Sequence, residues 1–247
     1  MGSLKRLVAR CAVDVLDLVF PIACVGCGSY AEHRTSDAWI CPACRAALRE
    51  DFPTCVVCRE PAPSGRTCFP CRRDTDLAGT LAIGPYHDPT LQSAVKRLKF
   101  SGARPLAQSL GALLVCRVAA SVARGADRAF VLAPIPLHPR RERERGYNQS
   151  RLLADAMGQL LQVPVRELLV RVRSTDPQTT IRGSAHVRQA NVHGAFALHP
   201  LAAPLGPTTI ILVDDVLTTG ATLREAARVL ARQGAVDIWG AVAARGR

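Results

Sequence analysis

The sequence predicts an α/β fold, a parallel sheet flanked by helices, with a small double zinc-ribbon module ahead of it. Three observations lead there. From residue 77 onward, strand-length apolar runs alternate with helical patterns, as in chains that build parallel sheets. One of these runs, TTIILVDD, ends in two acids and is followed by a Thr/Gly turn and then a helix. Eight of the 10 cysteines fall in four CxxC pairs before residue 72, a spacing that suits metal better than disulfides.

The chain of 247 residues is 48% hydrophobic, enough for one full α/β domain plus a small module, and disorder is not expected. Aromatic content is only 4%, so Leu, Val, Ile and Ala must build the core. The net charge of +12 is unevenly placed. Residues 1–78 hold 10 Lys/Arg against 9 Asp/Glu, and residues 79–247 hold 22 against 11. The basic part suits nucleic acid or a small polyanionic substrate equally well.

Residues 1–21 read as an amphipathic helix, with Leu4, Leu7, Val8, Cys11, Val15 and Leu18 on one face and Pro21 at its end. Packing against the rest of the protein is expected of that face, with peripheral membrane attachment as the alternative. Arg10, Asp14 and Asp17 break the stretch, so neither a secretory signal nor a membrane span is expected.

Residues 22–76 have short apolar runs and many turns, too little core to fold without a staple. The pairs Cys24/Cys27, Cys41/Cys44, Cys55/Cys58 and Cys68/Cys71 supply it. Two CxxC pairs complete one tetrahedral Zn²⁺ site. The simplest arrangement is two consecutive four-cysteine sites, hence two structural zinc ions. An interleaved cross-brace and an iron–sulfur cluster are the alternatives. Free thiols in this number imply a reducing compartment, and the cytoplasm is expected. Cys11 and Cys116 sit in helical patterns and read as core.

Residues 77–247 form the main domain. LAGTLAIGPY is a strand. Asp88 caps a helix with Pro89 at its first position, and Leu91, Ala94, Val95 and Leu98 mark the buried face. A second helix runs through Leu106, Leu110, Leu113 and Leu114. The strand AFVLAPIP, the basic loop HPRRERERGYNQ and the helix SRLLADAMGQLL come next. Residues 173–191 are polar and aperiodic, as in a functional or mobile loop. GAFAL, TTIILVDD and VDIWGAVAA are strands, and LREAARVLARQG is a helix closed by Gly234.

The chemistry concentrates at residues 210–223, IILVDDVLTTGATL. A Gly-containing turn at a helix N-terminus aims backbone N–H groups at one spot, and the helix dipole adds positive potential. Thr218, Thr219, Gly220, Ala221 and Thr222 thus form an anion cradle, with Thr222 and Glu225 suited to a capping box. Asp214 and Asp215 just before it can accept hydrogen bonds from vicinal hydroxyls, so a ribose beside a phosphate would satisfy both halves. The bland alternative is an acid pair capping a strand end. A Walker-type nucleotide site is disfavoured because the chain has no G-x-x-x-x-G-K-[ST].

Two further segments fit a polyanion. Arg140, Arg141, Arg143 and Arg145 can counter a pyrophosphate, although Glu142 and Glu144 make a solvated surface run the plain alternative. Gly146 and Asn148 at a helix start favour a functional loop, and Lys96 and Lys99 add charge. In the long polar loop, Arg182 and Arg188 are candidates to meet the pyrophosphate on closure, and His186 is a weaker candidate for moving the nucleophile's proton.

IILVDDVLTTGATL resembles the signature that binds phosphoribosyl pyrophosphate (PRPP) in type I phosphoribosyltransferases. PIPLHPRRERERGYNQS and RSTDPQTTIRGSAHVRQANVHGAF, with the cysteine pairs ahead, resemble the ComF family over nearly the whole chain. Ile181 stands where that family usually has Leu. The resemblance implies a type I phosphoribosyltransferase-like fold in which Asp214 and Asp215 hold the ribose hydroxyls and Thr218–Thr222 wrap the 5′-phosphate. Arg188 would join the two acids in catalysis, and Lys99, Arg143, Arg145 and Asn148 would bind substrate. The implied reaction, with Mg²⁺ accompanying PRPP, moves the 5-phosphoribosyl group to a nitrogen acceptor that the resemblance does not name. It also implies a bacterial, cytoplasmic protein linked in some members to DNA uptake, with single-stranded DNA or DNA-uptake proteins as partners. The alternative is a PRPP-sensing or nucleic-acid-binding protein that reuses the fold without turnover.

Overall fold

The structure is a computed structural model and describes residues 22–30, 39–121, 130–174, 191–202 and 208–246. The expected helix over residues 1–21 lies outside them. Four strands form the main sheet: β1 (Leu77–Pro85), β2 (Phe130–Pro134), β5 (Thr209–Leu217) and β6 (Asp237–Arg245). Their order is β1-β6-β5-β2 and every pairing is parallel. Parallel neighbours need long crossovers, and helices supply them. These are α2 (Pro89–Phe100), α3 (Leu106–Ser121), α5 (Gln149–Leu161) and α6 (Ala221–Ala231), while α1 (Pro42–Ala46) belongs to the cysteine-rich segment.

Helices on both faces bury the sheet twice, which is why its strands are apolar without alternation. On β5, Ile211 and Val213 enter one core cluster, with Leu91, Leu98, Leu110 and Leu153 of the helices. Ile210 and Leu212 enter the other, with Leu223, Ala226 and Leu230 of α6. Helix α2 follows its pattern. The Asp88 carboxylate accepts from the backbone N–H groups of Thr90 and Leu91, Pro89 is the first residue, and Leu91, Ala94, Val95 and Leu98 are buried.

The cysteine-rich module is packed onto the domain rather than strung ahead of it. Val25 and Ile40 enter the first core cluster and Val56 the second. Asp88 also accepts from Arg49 N–H at 3.1 Å. Asp51 pairs with Arg245 at 2.9 Å, their side chains only 5% and 10% exposed. These links join residues up to 194 positions apart.

Four local expectations change. Cys116, expected in the core, is exposed, because it lies off the Leu106/Leu110/Leu114/Val118 face that α3 buries. The basic loop contains a short helix, α4 (Pro139–Arg145), with Arg140 and Glu144 paired at 3.0 Å one turn apart and Gly146 ending it at φ 79°. Strand β5 does not stop at the acid pair but continues to Leu217, with Val216 opposite Ala244. The capping box does not form: α6 is capped by Gly220, and Glu225 instead accepts from Gly194 N–H at 2.7 Å and pairs with Arg228. A small antiparallel hairpin of β3 (Leu169–Arg171) and β4 (Phe196–Leu198) completes the described fold.

Candidate functional site

The eight paired cysteines form two consecutive sites, Cys24/Cys27/Cys41/Cys44 and Cys55/Cys58/Cys68/Cys71, with no interleaving. Within each set the sulfur atoms all lie within 4.8 Å of one another. Tetrahedral zinc with bonds of about 2.3 Å sets its sulfurs about 3.8 Å apart. The Cys27–Cys41 and Cys58–Cys68 separations of 3.7 Å and 3.6 Å fit that spacing. Backbone N–H groups of Gly26 and Cys41 aim at Cys24 Sγ and that of Cys44 at Cys41 Sγ, as they would at thiolates. The thiols divide their protons unequally. Hydrogen bonds from Ser29 push Cys27 down to about 6, while burial and the neighbouring sulfurs push Cys44 up to about 12. A bound cation relieves this crowding of sulfurs by making all four thiolates favourable. None of the nine described cysteines is in a disulfide.

At the carboxyl end of the main sheet, where open α/β sheets bind ligands, β5 presents Asp214 and Asp215. Asp214 Oδ1 accepts from Ser150 Oγ and from the Asp215 N–H, both at 2.9 Å. The residue keeps some surface, but its carboxyl lies deep among protein atoms. Burial, then the neighbouring charge of Asp215, pushes it up to about 7, against the pull of Lys99 and the hydrogen bonds. Asp215 Oδ1 lies 2.8 Å from Lys99 Nζ.

Beyond the acids, Gly220 adopts φ 77° and opens α6. A side chain there meets two obstacles. The left-handed backbone disfavours it, and a Cβ would fall 2.5 Å from Val56 Cγ2. Val56 belongs to the second cysteine knuckle, so that knuckle rests on the cradle and is not remote from it. The Thr219 hydroxyl accepts from Ala221 N–H at 3.4 Å. Two hollows flank the turn. One lies between it and the acids, lined by Asp214, Val216, Thr218, Gly220 and Thr222. The other lies between it and the second knuckle, lined by Thr54, Val56, Arg59, Thr218, Thr219 and Gly220 among others.

The remaining candidates fare differently. Lys99 reaches the acid pair. Arg145 packs over the Phe100 ring at 5.3 Å, where burial lowers its basicity and Asp215 offsets part of that loss. Arg143 is exposed on α4. Asn148 caps α5: its side chain accepts from Ser150 N–H and donates to Ile135 O, both at 3.0 Å. Arg182, His186 and Arg188 lie outside the described residues. Sequence reasoning missed Ser150, Val56 and Arg59. Ser150 directly follows the Asn-Gln pair, and Arg59 is betrayed only by setting CVVCR beside CVGCG. Among the described residues, no helix is long and apolar enough to cross a membrane.

Comparison with known proteins agrees with this arrangement. A family model of a double zinc ribbon domain matches residues 15–72, and one of a phosphoribosyl transferase domain matches residues 148–247. The DNA utilization protein YhgH of Escherichia coli is 33% identical over 205 residues, covering 81% of this chain and 88% of its own. Competence protein F of Haemophilus influenzae is 30% identical, covering 81% of this chain and 89% of its own. Competence protein ComFC of Bacillus subtilis is 29% identical, covering 80% of each. Among solved structures, the glutamine PRPP amidotransferase of B. subtilis complexed with ADP and GMP overlaps at 16% identity and a TM-score of 0.37. That overlap spans 60% of this chain and 30% of the amidotransferase, too partial to carry an argument. With a double zinc ribbon, a phosphoribosyltransferase domain and relatives matched along most of their length, the chain belongs to the ComF family.

Proposed function

We propose that the chain binds PRPP and transfers its 5-phosphoribosyl group to a nitrogen acceptor, releasing pyrophosphate. The observation that carries this reading is that Asp214 shares one hollow with Thr218, Gly220 and Thr222 of the turn, with Asp215 next to it on β5. The turn and the start of α6 offer backbone donors to the 5′-phosphate. The carboxylates accept from the ribose hydroxyls and stabilise positive charge that grows on the sugar as the C1–oxygen bond breaks. The pyrophosphate leaves with the electron pair of that bond, the acceptor nitrogen bonds to C1, and the nitrogen gives up a proton. Lys99 and Arg145 supply positive charge at the acids, and Arg143 adds more from the exposed face of α4. Arg188 is proposed to meet the leaving group. Mg²⁺ is proposed to accompany PRPP and to neutralise the charge of its pyrophosphate. The two cysteine sets are proposed to hold one structural zinc each, and their free thiols suit the cytoplasm.

A second reading has one specific support. Residues 79–247 carry 22 basic against 11 acidic residues, and relatives are named for DNA utilization and competence. A PRPP-sensing, single-stranded DNA-binding protein would use that charge without turnover. A pyrophosphate-release assay over a panel of nucleobases and amines separates the two. Turnover that disappears in Asp215→Asn supports the transferase. Salt-sensitive binding of single-stranded DNA with no pyrophosphate release supports the alternative.

A further inference from the structure

The two cysteine knuckles are near-copies of each other. Cys24 N–H donates to Ser29 O at 2.8 Å, and Cys55 N–H to Glu60 O at 2.9 Å. Gly28 N–H and Arg59 N–H each return to the carbonyl of the first cysteine at 2.9 Å. The bridges Ala23–Tyr30 and Thr54–Pro61 close the two turns at the same offset. After the first cysteine, each knuckle buries a valine, Val25 or Val56.

That likeness makes one departure informative. The turn demands a positive φ just after the second cysteine. The first knuckle meets the demand with Gly28 at φ 75°, where a Cβ would touch nothing within 4 Å. The second has Arg59 at φ 65°. An L side chain there carries a steric cost that glycine avoids.

The two positions also face different surroundings. Arg59 lines the hollow whose other wall is the Thr218–Gly220 turn. Arg245 lines the same hollow, but its guanidinium is committed to Asp51 and Thr80. The Arg59 side chain is exposed and makes no ion pair among the described residues. An exposed cation thus stands beside a turn read as a phosphate cradle, on a backbone that glycine would fit with less strain.

We propose that Arg59 is a phosphate-binding residue contributed by the second cysteine knuckle, its guanidinium pairing with the 5′-phosphate of the phosphoribosyl ligand. The inference rests on the PRPP reading above. It makes Cys55, Cys58, Cys68 and Cys71 part of the substrate site, since they fix the turn that carries Arg59, whereas the first four cysteines serve structure alone.

The test is calorimetric titration of ribose 5-phosphate and of PRPP, each with Mg²⁺, into the zinc-loaded full chain carrying Arg59→Gly or Arg59→Lys. Gly28 shows that the turn accepts glycine, so Arg59→Gly should keep its zinc and melt no lower than wild type. Both ligands carry the 5′-phosphate, so both should bind about tenfold more weakly or worse. Arg59→Lys should recover part of the loss. Unchanged affinity for both ligands overturns the proposal and leaves the PRPP reading standing. Weakening of PRPP alone places Arg59 at the pyrophosphate end and overturns it too. Zinc lost from Arg59→Gly makes the residue's role structural and overturns it equally. A wild-type chain that binds neither ligand removes both the proposal and the reading beneath it.

Discussion

Lys99 Nζ sits 2.8 Å from Asp215 Oδ1, so the acid pair on β5 is held by a cation from α2, the helix that follows β1 in the chain. Both side chains are mostly buried, which lets the pair act with less solvent screening than at the surface. Lys99→Met should leave Asp214 and Asp215 without this counter-charge. Since Lys99 is among the groups that hold Asp214 down, the Asp214 titration should move above about 7. Carboxyl-carbon NMR of the ligand-free protein checks this. A double-mutant cycle of Lys99→Met with Asp215→Asn should show a coupling of about 0.5 kcal/mol or more.

Asp214 also makes stability depend on pH. Its ordinary value of 3.8 applies to the unfolded chain, and the folded value is pushed up to about 7. Between these, the folded state keeps a proton that the unfolded state has released. The contribution of this group is therefore most favourable below about pH 4, declines as pH rises toward 7 and is flat above it. Asp214→Asn should raise the melting temperature at pH 8 and change it little at pH 4, since an amide oxygen can still accept from Ser150. Equal shifts at both pH values would contradict the assignment.

Gly220→Val tests the meeting of cradle and knuckle. A β-branched residue at φ 77° carries about 1–3 kcal/mol of backbone strain. Its Cβ would also drive into Val56. The variant should lose both PRPP and ribose 5-phosphate binding and should loosen the second knuckle, seen as faster zinc release to a chelator. The first knuckle, with Val25 packed in the other core cluster, should hold its zinc as before.

Metal removal should reach past the ribbons. Two zinc ions per chain are expected by elemental analysis, and one or fewer in carefully reduced protein would contradict the two-site assignment. Because Ile40 and Val56 are shared with the two main cores, chelation should lower the melting temperature of the sheet domain as well. The buried Asp51–Arg245 pair ties the same surfaces together, and Asp51→Ala, leaving the buried Arg245 guanidinium without its counter-charge, should cost about 3–5 kcal/mol of stability.

Local regularities were legible in the sequence. The Asp88–Pro89 cap, the Leu91/Ala94/Val95/Leu98 stripe and the consecutive cysteine pairs are each written within a few residues, where spacing maps directly to geometry. So is the acid pair followed by a Thr/Gly turn. What escaped the sequence joins residues far apart in the chain. Nothing near Gly220 announces that Val56 will lie against it, and nothing near Asp51 announces Arg245. Asn148 was legible as a helix start but not as an amide whose contacts are internal to the fold. The helix Pro139–Arg145 was hidden by its charge, because a polar face alone does not separate a short exposed helix from a loop.

The turn after Asp214 and Asp215 is proposed as a phosphoribosyl site. Calorimetric titration of PRPP with Mg²⁺ into the zinc-loaded wild-type chain tests it most directly, with Asp215→Asn and Gly220→Val alongside. Wild type should give saturable one-site binding, Asp215→Asn should show weakened PRPP binding with residual ribose 5-phosphate binding, and Gly220→Val should bind neither ligand. Wild-type protein that gives no binding heat with PRPP at any temperature tried, or Gly220→Val that binds both ligands as wild type does, would contradict it.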